Sequence, residues 1–289
     1  MHTIRELEQS KILLTALNKF LINRVDELTK ISDDLKKGHS EKEIEQIKIL
    51  TSQLYNELSA KRKEVEDLAE TLSHEFRAPL IPIKAYTDML LSDKFGELSE
   101  RQKEKLSLVK SSIDKMQSML NDLILAKQLK LEPLKLNKQV VDVMRLVESA
   151  ISSLQEKAEK KGISISYGPK QEFACYCDPE RIIYVLTRII QNSVDAISTP
   201  RGNITIDVIP DDKSFNIIIK DTGVGISKEL LGMMFTKYYQ VDDSSTREKG
   251  GFGLSLYLCK EIIAAHGGKI KIKSVLGKNT EVYIMIPKR

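Results

Sequence analysis

With 289 residues, 41% of them hydrophobic and 30% charged, the chain has the balance of a folded, helix-rich protein and the length for about two domains. A net charge of +4 is too small to argue for a nucleic-acid partner, and no uninterrupted run of about 18 apolar residues is present to cross a membrane. Three cysteines, an odd number, make no disulfide framework, and the opening MHTIRELEQSK lacks the apolar core of a signal peptide. The sequence reads as cytoplasmic, and it is equally compatible with the soluble part of a longer anchored protein whose membrane or sensory segment lies upstream.

Ile4, Leu7, Leu14, Leu21, Val25, Leu28 and Leu35 fall on one seam and predict a first helix. Gly38 permits it to end, and Ser40 with Glu43 resembles a capping box that opens the next helix. A second seam, Ile44, Ile47, Thr51, Leu54, Leu58, Lys61, Val65, Leu68 and Leu72, alternates by three and four without a slip. One helix cannot bury such a stripe alone, so the spacing predicts supercoiling with a second copy of the chain. Pro79 and Pro82 each remove a backbone donor and predict a bend in a helix that continues to about Leu91. The stretch SDKFGELSE then predicts a hairpin connection, with Gly96 in the turn and Ser99 capping a helix whose stripe is Leu106, Val109, Ile113, Met116, Leu120, Leu123 and Ala126 or Lys127. Two antiparallel helices, doubled by dimerisation, make a four-helix bundle.

Composition changes after LEPLKL. Residues 140 to 160 read as one helix, GISISY and FACYC as strands, and Asp178 with Pro179 opens a helix to Ile197. Alternating runs in NITIDVI, SFNIIIK, KIKIKS and TEVYIMI predict four more strands, with another helix from about Leu254 to His266. The expected fold is an α/β sandwich, a mixed sheet covered on one face by helices. Cys175 and Cys177 alternate along a strand and read as structural, since no second pair completes a zinc site.

Three stretches carry chemistry. In KDTGVGIS, Asp221 stands at the end of an apolar strand, where a carboxylate can accept from an exocyclic amine, and Gly223 and Gly225 let backbone approach a flat ring. The helix from Pro179 buries Ile182, Ile183, Leu186, Ile189, Ile190 and Ile197 and leaves Asn192 facing outward beside Asp195. A side-chain amide oxygen there is a suitable Mg²⁺ ligand when phosphate oxygens and waters complete the octahedron. The polar loop with Arg247 and Lys249 ends in Gly250, Gly251 and Gly253 and runs into an apolar helix, whose exposed N–H groups can hold phosphate oxygens. This is not the Walker pattern.

Together with SHEFRAPL, these motifs make the chain resemble a sensor histidine kinase of two-component signalling. SHEFRAPL resembles that family's H box, IIQNSVDAI its N box, DTGVGI its first glycine box, FTKYYQVDDSSTR its F box and lid, and GGFGLSL its second glycine box. The match covers about residues 64 to 289, with the five motifs in family order and spacing. The resemblance implies N-terminal signal-conducting helices over 1–63, a dimeric histidine-phosphotransfer hairpin over 64–130, and over 131–289 a catalytic ATP-binding domain of the type shared with gyrase, Hsp90 and MutL. It implies that His74 is the phosphoacceptor, that Glu75 accepts its proton, that Asp221 reads the adenine amine and that Asn192 holds Mg²⁺. Gly223, Gly225, Gly251 and Gly253 would shape the ATP site, Lys237 or Arg247 would meet the terminal phosphate, and Asp195 and Leu254 complete the binding set. The implied partners are a second copy of the chain and the receiver domain of a response regulator. Imidazole, with an ordinary pKa near ~6.5, is largely neutral and nucleophilic at neutral pH, and a neighbouring carboxylate can orient it.

The sequence departs from the family pattern in several places: Ala78 stands where the H box commonly has threonine or asparagine, Arg188 replaces the first asparagine of the N box, and Gln240 stands where the lid often has arginine. Ser255 and Asn279 replace usual glycines. Two other readings are a gyrase- or Hsp90-type ATPase, disfavoured because the N-box helix has no glutamate beyond Glu180, and a degenerate kinase serving as a dimeric scaffold.

Overall fold

The computed structural model describes residues 75–131, 133–169, 173–198, 201–239 and 252–288, together with helical positions at 49, 52, 53, 55, 56 and 60. Both upstream seams, His74, Gln240, Arg247, Lys249, Gly250 and Gly251 lie outside the described residues. The chain divides into two compact units, Met1–Lys127 and Gln128–Arg289.

The first unit contains a helical hairpin. Helix α1 covers residues 75–91 and runs through Pro79 and Pro82, which withhold N–H donors from the carbonyls of Glu75 and Ala78. Gly96, at φ +113°, turns the chain, and Ser99 caps helix α2, Glu100–Leu131. The cap is reciprocal: the Gln102 N–H donates to Ser99 Oγ at 3.4 Å, and the Ser99 N–H donates to Gln102 Oε1 at 2.9 Å. The side-chain pairs across the hairpin run in opposite directions along the two helices, Arg77 with Asn121 (3.0 Å), Lys84 with Asp114 (2.6 Å), Asp88 with Lys110 (2.6 Å) and Asp93 with Lys103 (3.4 Å). Exposed pairs like these fix register more than they stabilise, at about 0 to 1 kcal/mol each. The buried contacts are Leu80, Ile113 and Leu120, with Phe76 and Met116 against them. Val109, placed on the α2 stripe by its spacing, is 44% exposed, and Ile81, Ile83, Tyr86 and Leu108 are also exposed. One hairpin covers a narrower strip than the apolar pattern offers.

In the second unit, β1 (Gln139–Asp142) leads into α3 (Val143–Ser152) and α4 (Gln155–Lys160). Strands β2 (Ser164–Gly168) and β3 (Ala174–Cys177) precede α5 (Pro179–Ala196), followed by β4 (Asn203–Pro210), β5 (Ser214–Asp221) and the short α6 (Lys228–Leu231). Helix α7 (Ser255–Ala265) and strands β6 (Lys269–Val275) and β7 (Asn279–Pro287) complete it. The main sheet has the order β2-β4-β5-β7-β6, with β2 and β4 parallel and the remaining pairs antiparallel, while β1 and β3 pair separately. Alternation along the central strands buries Ile204, Ile206, Phe215, Ile217, Ile219, Ile284 and Ile286 on one face. Helices α5 and α7 lie on it and α3 packs against α5, α5 contributing Ile182, Val185, Leu186, Ile189 and Ile190. Ile183, expected in the core, is only half-buried. None of the described helices is long and apolar enough to cross a membrane.

The single helix expected over residues 140 to 160 is three elements instead. Val140 and Val141 pair with Tyr176 and Cys175 in the small sheet, and Asp142 then switches the chain to helix. Its Oδ1 accepts from the N–H of Met144 at 3.1 Å and of Phe173 at 2.9 Å, so one carboxylate caps α3 and ties the incoming loop. Cys175 and Cys177 both face inward from β3, as strand alternation requires. His266 is buried at the end of α7 and joins it to the start of α5: Nδ1 donates to the Ile262 carbonyl (2.8 Å), and Nε2 accepts from the Asp178 N–H (3.0 Å).

Candidate active site

Sequence places Asp221 at the last residue of β5 because the apolar alternation of SFNIIIK ends there. Register then puts it opposite Thr280 of β7 and Ile204 of β4, in the middle of the sheet. The carboxylate is 3% exposed. Oδ1 accepts from the Gly223 N–H at 2.9 Å, and Oδ2 accepts from Ser193 Oγ at 2.8 Å. Burial pushes its pKa above the ordinary carboxylate value, and these donors pull against that shift. Both donors that these bonds show are N–H or O–H groups of described residues, and about four lone-pair directions leave acceptor capacity to spare. The group it can still take is therefore another N–H or O–H.

The two glycines after Asp221 are required by space. A Cβ on Gly223 would stand 2.9 Å from Ala196 Cβ and 2.8 Å from Asp221 Oδ1. Gly225 has φ +69°, and a Cβ there would overlap the Val275 carbonyl. The loop is hung on α5 through the Val224 N–H to the Ala196 carbonyl (3.2 Å) and on the β6–β7 turn through the Gly277 N–H to the Val224 carbonyl (2.7 Å).

Helix α5 starts where predicted, with Asp178 accepting from the Arg181 N–H at 3.1 Å and Pro179 in the first turn. Asn192 is exposed, one residue before the buried Ser193 that touches Asp221. Asp195 is committed elsewhere: it pairs with Lys157 (2.9 Å) and Lys161 (3.9 Å) and accepts from Gln191 Nε2 (2.7 Å), which ties α5 to α4. Lys237 lies 5.0 Å from the Tyr238 ring centroid and 6.0 Å from that of Tyr257. Gly253, at φ +66°, packs so closely on Tyr238 and Tyr239 that a Cβ would stand 2.5 Å from the Tyr239 carbonyl oxygen, and its own carbonyl accepts from the Tyr238 N–H at 2.9 Å. Leu254 is 1% exposed, so its side chain belongs to the core, and as the N-cap of α7 it makes no side-chain capping bond. Glu75, the first described residue of α1, is exposed.

The structure thus brings together Asp221, Gly223 and Gly225 with the residue after Asn192, and it separately seats Tyr238–Tyr239 against Gly253. Sequence reading missed Ser193, since a serine in mid-helix carries no signal until the end of β5 is placed beside it. It also passed over Ser274 and Thr280, which share hydrogen bonds at the β6–β7 turn.

Residues 64–130 match the family model described as His Kinase A (phospho-acceptor) domain, and residues 177–289 match that described as histidine kinase-, DNA gyrase B-, and HSP90-like ATPase. Over 223 residues, 77% of this chain, the sequence is 32% identical to Sensor protein SrrB of Staphylococcus aureus, and it spans 38% of that relative's length. The crystal structure of full-length ShkA in complex with AMPPNP superposes with a TM-score of 0.59 at 24% identity, over 76% of this chain and 45% of that one. Acinetobacter baumannii histidine kinase AdeS gives a TM-score of 0.51 at 22% identity, over 75% of this chain and 98% of that one. These two likenesses concern the fold, and the domain pair with the sequence relative sets the family. The chain belongs to the sensor histidine kinases of two-component signalling, a family of protein-histidine kinases.

Proposed function

We propose that this chain binds Mg²⁺-ATP at the Asp221 site, phosphorylates itself on His74, and passes the phosphoryl group to an aspartate on the receiver domain of a response regulator. The observation that carries the reading is the buried Asp221 carboxylate, held by donors yet with acceptor capacity to spare, beside glycines that admit no side chain. A 6-aminopurine offers the N–H that this carboxylate lacks. Asn192, exposed on the neighbouring turn of α5, would hold Mg²⁺, and the N-terminal end of α7 would face phosphate with its positive dipole end.

Bound ATP supplies the phosphoryl group and Mg²⁺ offsets its charge, so the protein's work is alignment. Asp221 fixes the base. One imidazole nitrogen of His74 attacks the terminal phosphorus while Glu75 orients the ring and takes the proton released from its other nitrogen; the bond to the bridging oxygen breaks, and ADP leaves. Lys237 and Arg247 are the cations assigned to the terminal phosphate. The exposed apolar residues Ile81, Ile83, Tyr86, Leu108 and Val109 support a homodimeric bundle, because a second hairpin would cover them. Residues 1–63 would lead a signal into that bundle, residues 64–130 form it, and residues 131–289 carry the nucleotide.

Incubation with γ-labelled ATP and Mg²⁺ tests the reading. Acid-labile label on the protein is expected, as phosphohistidine requires; ATP turnover that leaves no protein label would instead indicate an ATPase of the gyrase type.

Ala78 adds a second feature. It is exposed on α1 one turn beyond His74 in sequence, where the family pattern carries threonine or asparagine, and a methyl group cannot orient a water. The expected enzyme is a kinase and phosphotransferase with weak phosphatase activity toward its regulator. Decay of the phosphorylated regulator should be little faster with wild type than with no kinase, and Ala78→Thr should accelerate it. Strong acceleration by wild type, unchanged in Ala78→Thr, would contradict this.

A further inference from the structure

The loop that follows Asp221 does not hold its shape alone. The N–H of Ile226 donates to Ser274 Oγ at 2.8 Å, from the last turn of that loop to the end of β6. Ser274 Oγ lies 2.7 Å from the Asn279 carbonyl, to which it donates, and 2.9 Å from Thr280 Oγ1. A hydroxyl has one proton and two lone pairs. With its proton on Asn279, Ser274 accepts from both Ile226 and Thr280, and its hydrogen-bonding capacity is full. Thr280 is in turn the residue paired across the sheet with Asp221. One side chain therefore joins both ends of the base-reading element: the glycine loop through Ile226, and the acid through Thr280. Beside it, Gly225 packs against Val275 and the Gly277 N–H donates to the Val224 carbonyl.

We infer that Ser274 is a positioning residue for base selection, holding the glycine loop and the Asp221 carboxylate in the register that distinguishes a 6-amino from a 6-oxo purine. The inference rests on the reading of Asp221 as the base acceptor. Removing the hydroxyl orphans the Ile226 N–H and the Thr280 hydroxyl together, so the loop shifts relative to Asp221 and the change falls on the end of the site that reads the base. Base discrimination falls through weaker binding of ATP, while binding of a nucleotide that lacks the 6-amino group does not change.

The test compares dissociation constants for ATP and inosine triphosphate, which has a 6-oxo group, on the full chain with Ser274, with Ser274→Ala and with Ser274→Thr. Thermal melting of each variant confirms that a folded protein is measured. In Ser274→Ala the preference for ATP should fall about fivefold or more, the inosine triphosphate constant should stay close to wild type, and Ser274→Thr should keep the wild-type preference. An unchanged preference in Ser274→Ala, or equal weakening of both nucleotides, overturns the inference while leaving the reading of Asp221 intact. A wild-type protein that does not prefer ATP removes that reading, and this inference with it.

Discussion

His266 shows how much one residue's surroundings decide. As one of four histidines it has no motif around it, and its sequence offers only a structural or solvated role. In the fold it is buried between the ends of α5 and α7, and its neutral form is required, since Nε2 must accept from the Asp178 N–H. Burial lowers its pKa below the ordinary 6.5, with Lys138 adding to the shift and the Ile262 carbonyl and Asp178 carboxylate opposing it. The unfolded chain then binds more protons than the folded one as pH falls below about 6.5, so stability is full above that value and declines beneath it. Melting temperature of the second unit should drop between pH 7.5 and 5.5 with wild type, and the drop should be smaller in His266→Gln. An identical pH profile in the two proteins would mean that His266 does not titrate during unfolding. By contrast, Asp221, Gly223 and Gly225 were legible in the sequence because their chemistry is in the residue types themselves: an acid ending an apolar strand, then two glycines one residue apart.

At the scale of elements, strands read well and one helix did not. NITIDVI, SFNIIIK, KIKIKS and TEVYIMI alternate because one sheet face is buried under helices, and β4 to β7 follow those runs. Residues 140 to 160 misled because the apolar spacing of Val143, Met144, Leu146, Val147, Ala150 and Ile151 is helical, and extending it backwards hid the strand. The evidence for β1 is a long-range pairing with β3, which no local pattern carries. Asp142 is the hinge between the two readings. Asp142→Ala removes a helix cap and orphans the Phe173 N–H, at an expected cost of about 1 to 2 kcal/mol in denaturant unfolding. Asp142→Asn retains an acceptor and should recover most of it. Equal losses in both variants would show that charge, not the cap, is what matters there.

At the scale of the whole molecule, the two regions that match family models follow one another in the order the motifs suggest, while the proposed homodimer rests on surplus apolar surface of the hairpin. The seam from Ile44 to Leu72 keeps a seven-residue period that a flexible tether would not need. If those residues conduct a signal, inserting one residue near Leu58 turns the seam by about 100° relative to the hairpin, whereas inserting seven nearly restores it. Autophosphorylation rate should change more with the single insertion, and equal changes would show that the segment is a passive linker. The central claim is that nucleotide held at Asp221 feeds a phosphoryl group to His74. Its most direct test measures ATP binding and acid-labile labelling side by side in His74→Gln and Asp221→Asn. His74→Gln should bind ATP as wild type does and take no label, while Asp221→Asn should lose about ten- to hundredfold in ATP affinity, with labelling at low ATP falling in step. Acid-labile label on His74→Gln, or wild-type ATP affinity in Asp221→Asn, would contradict it.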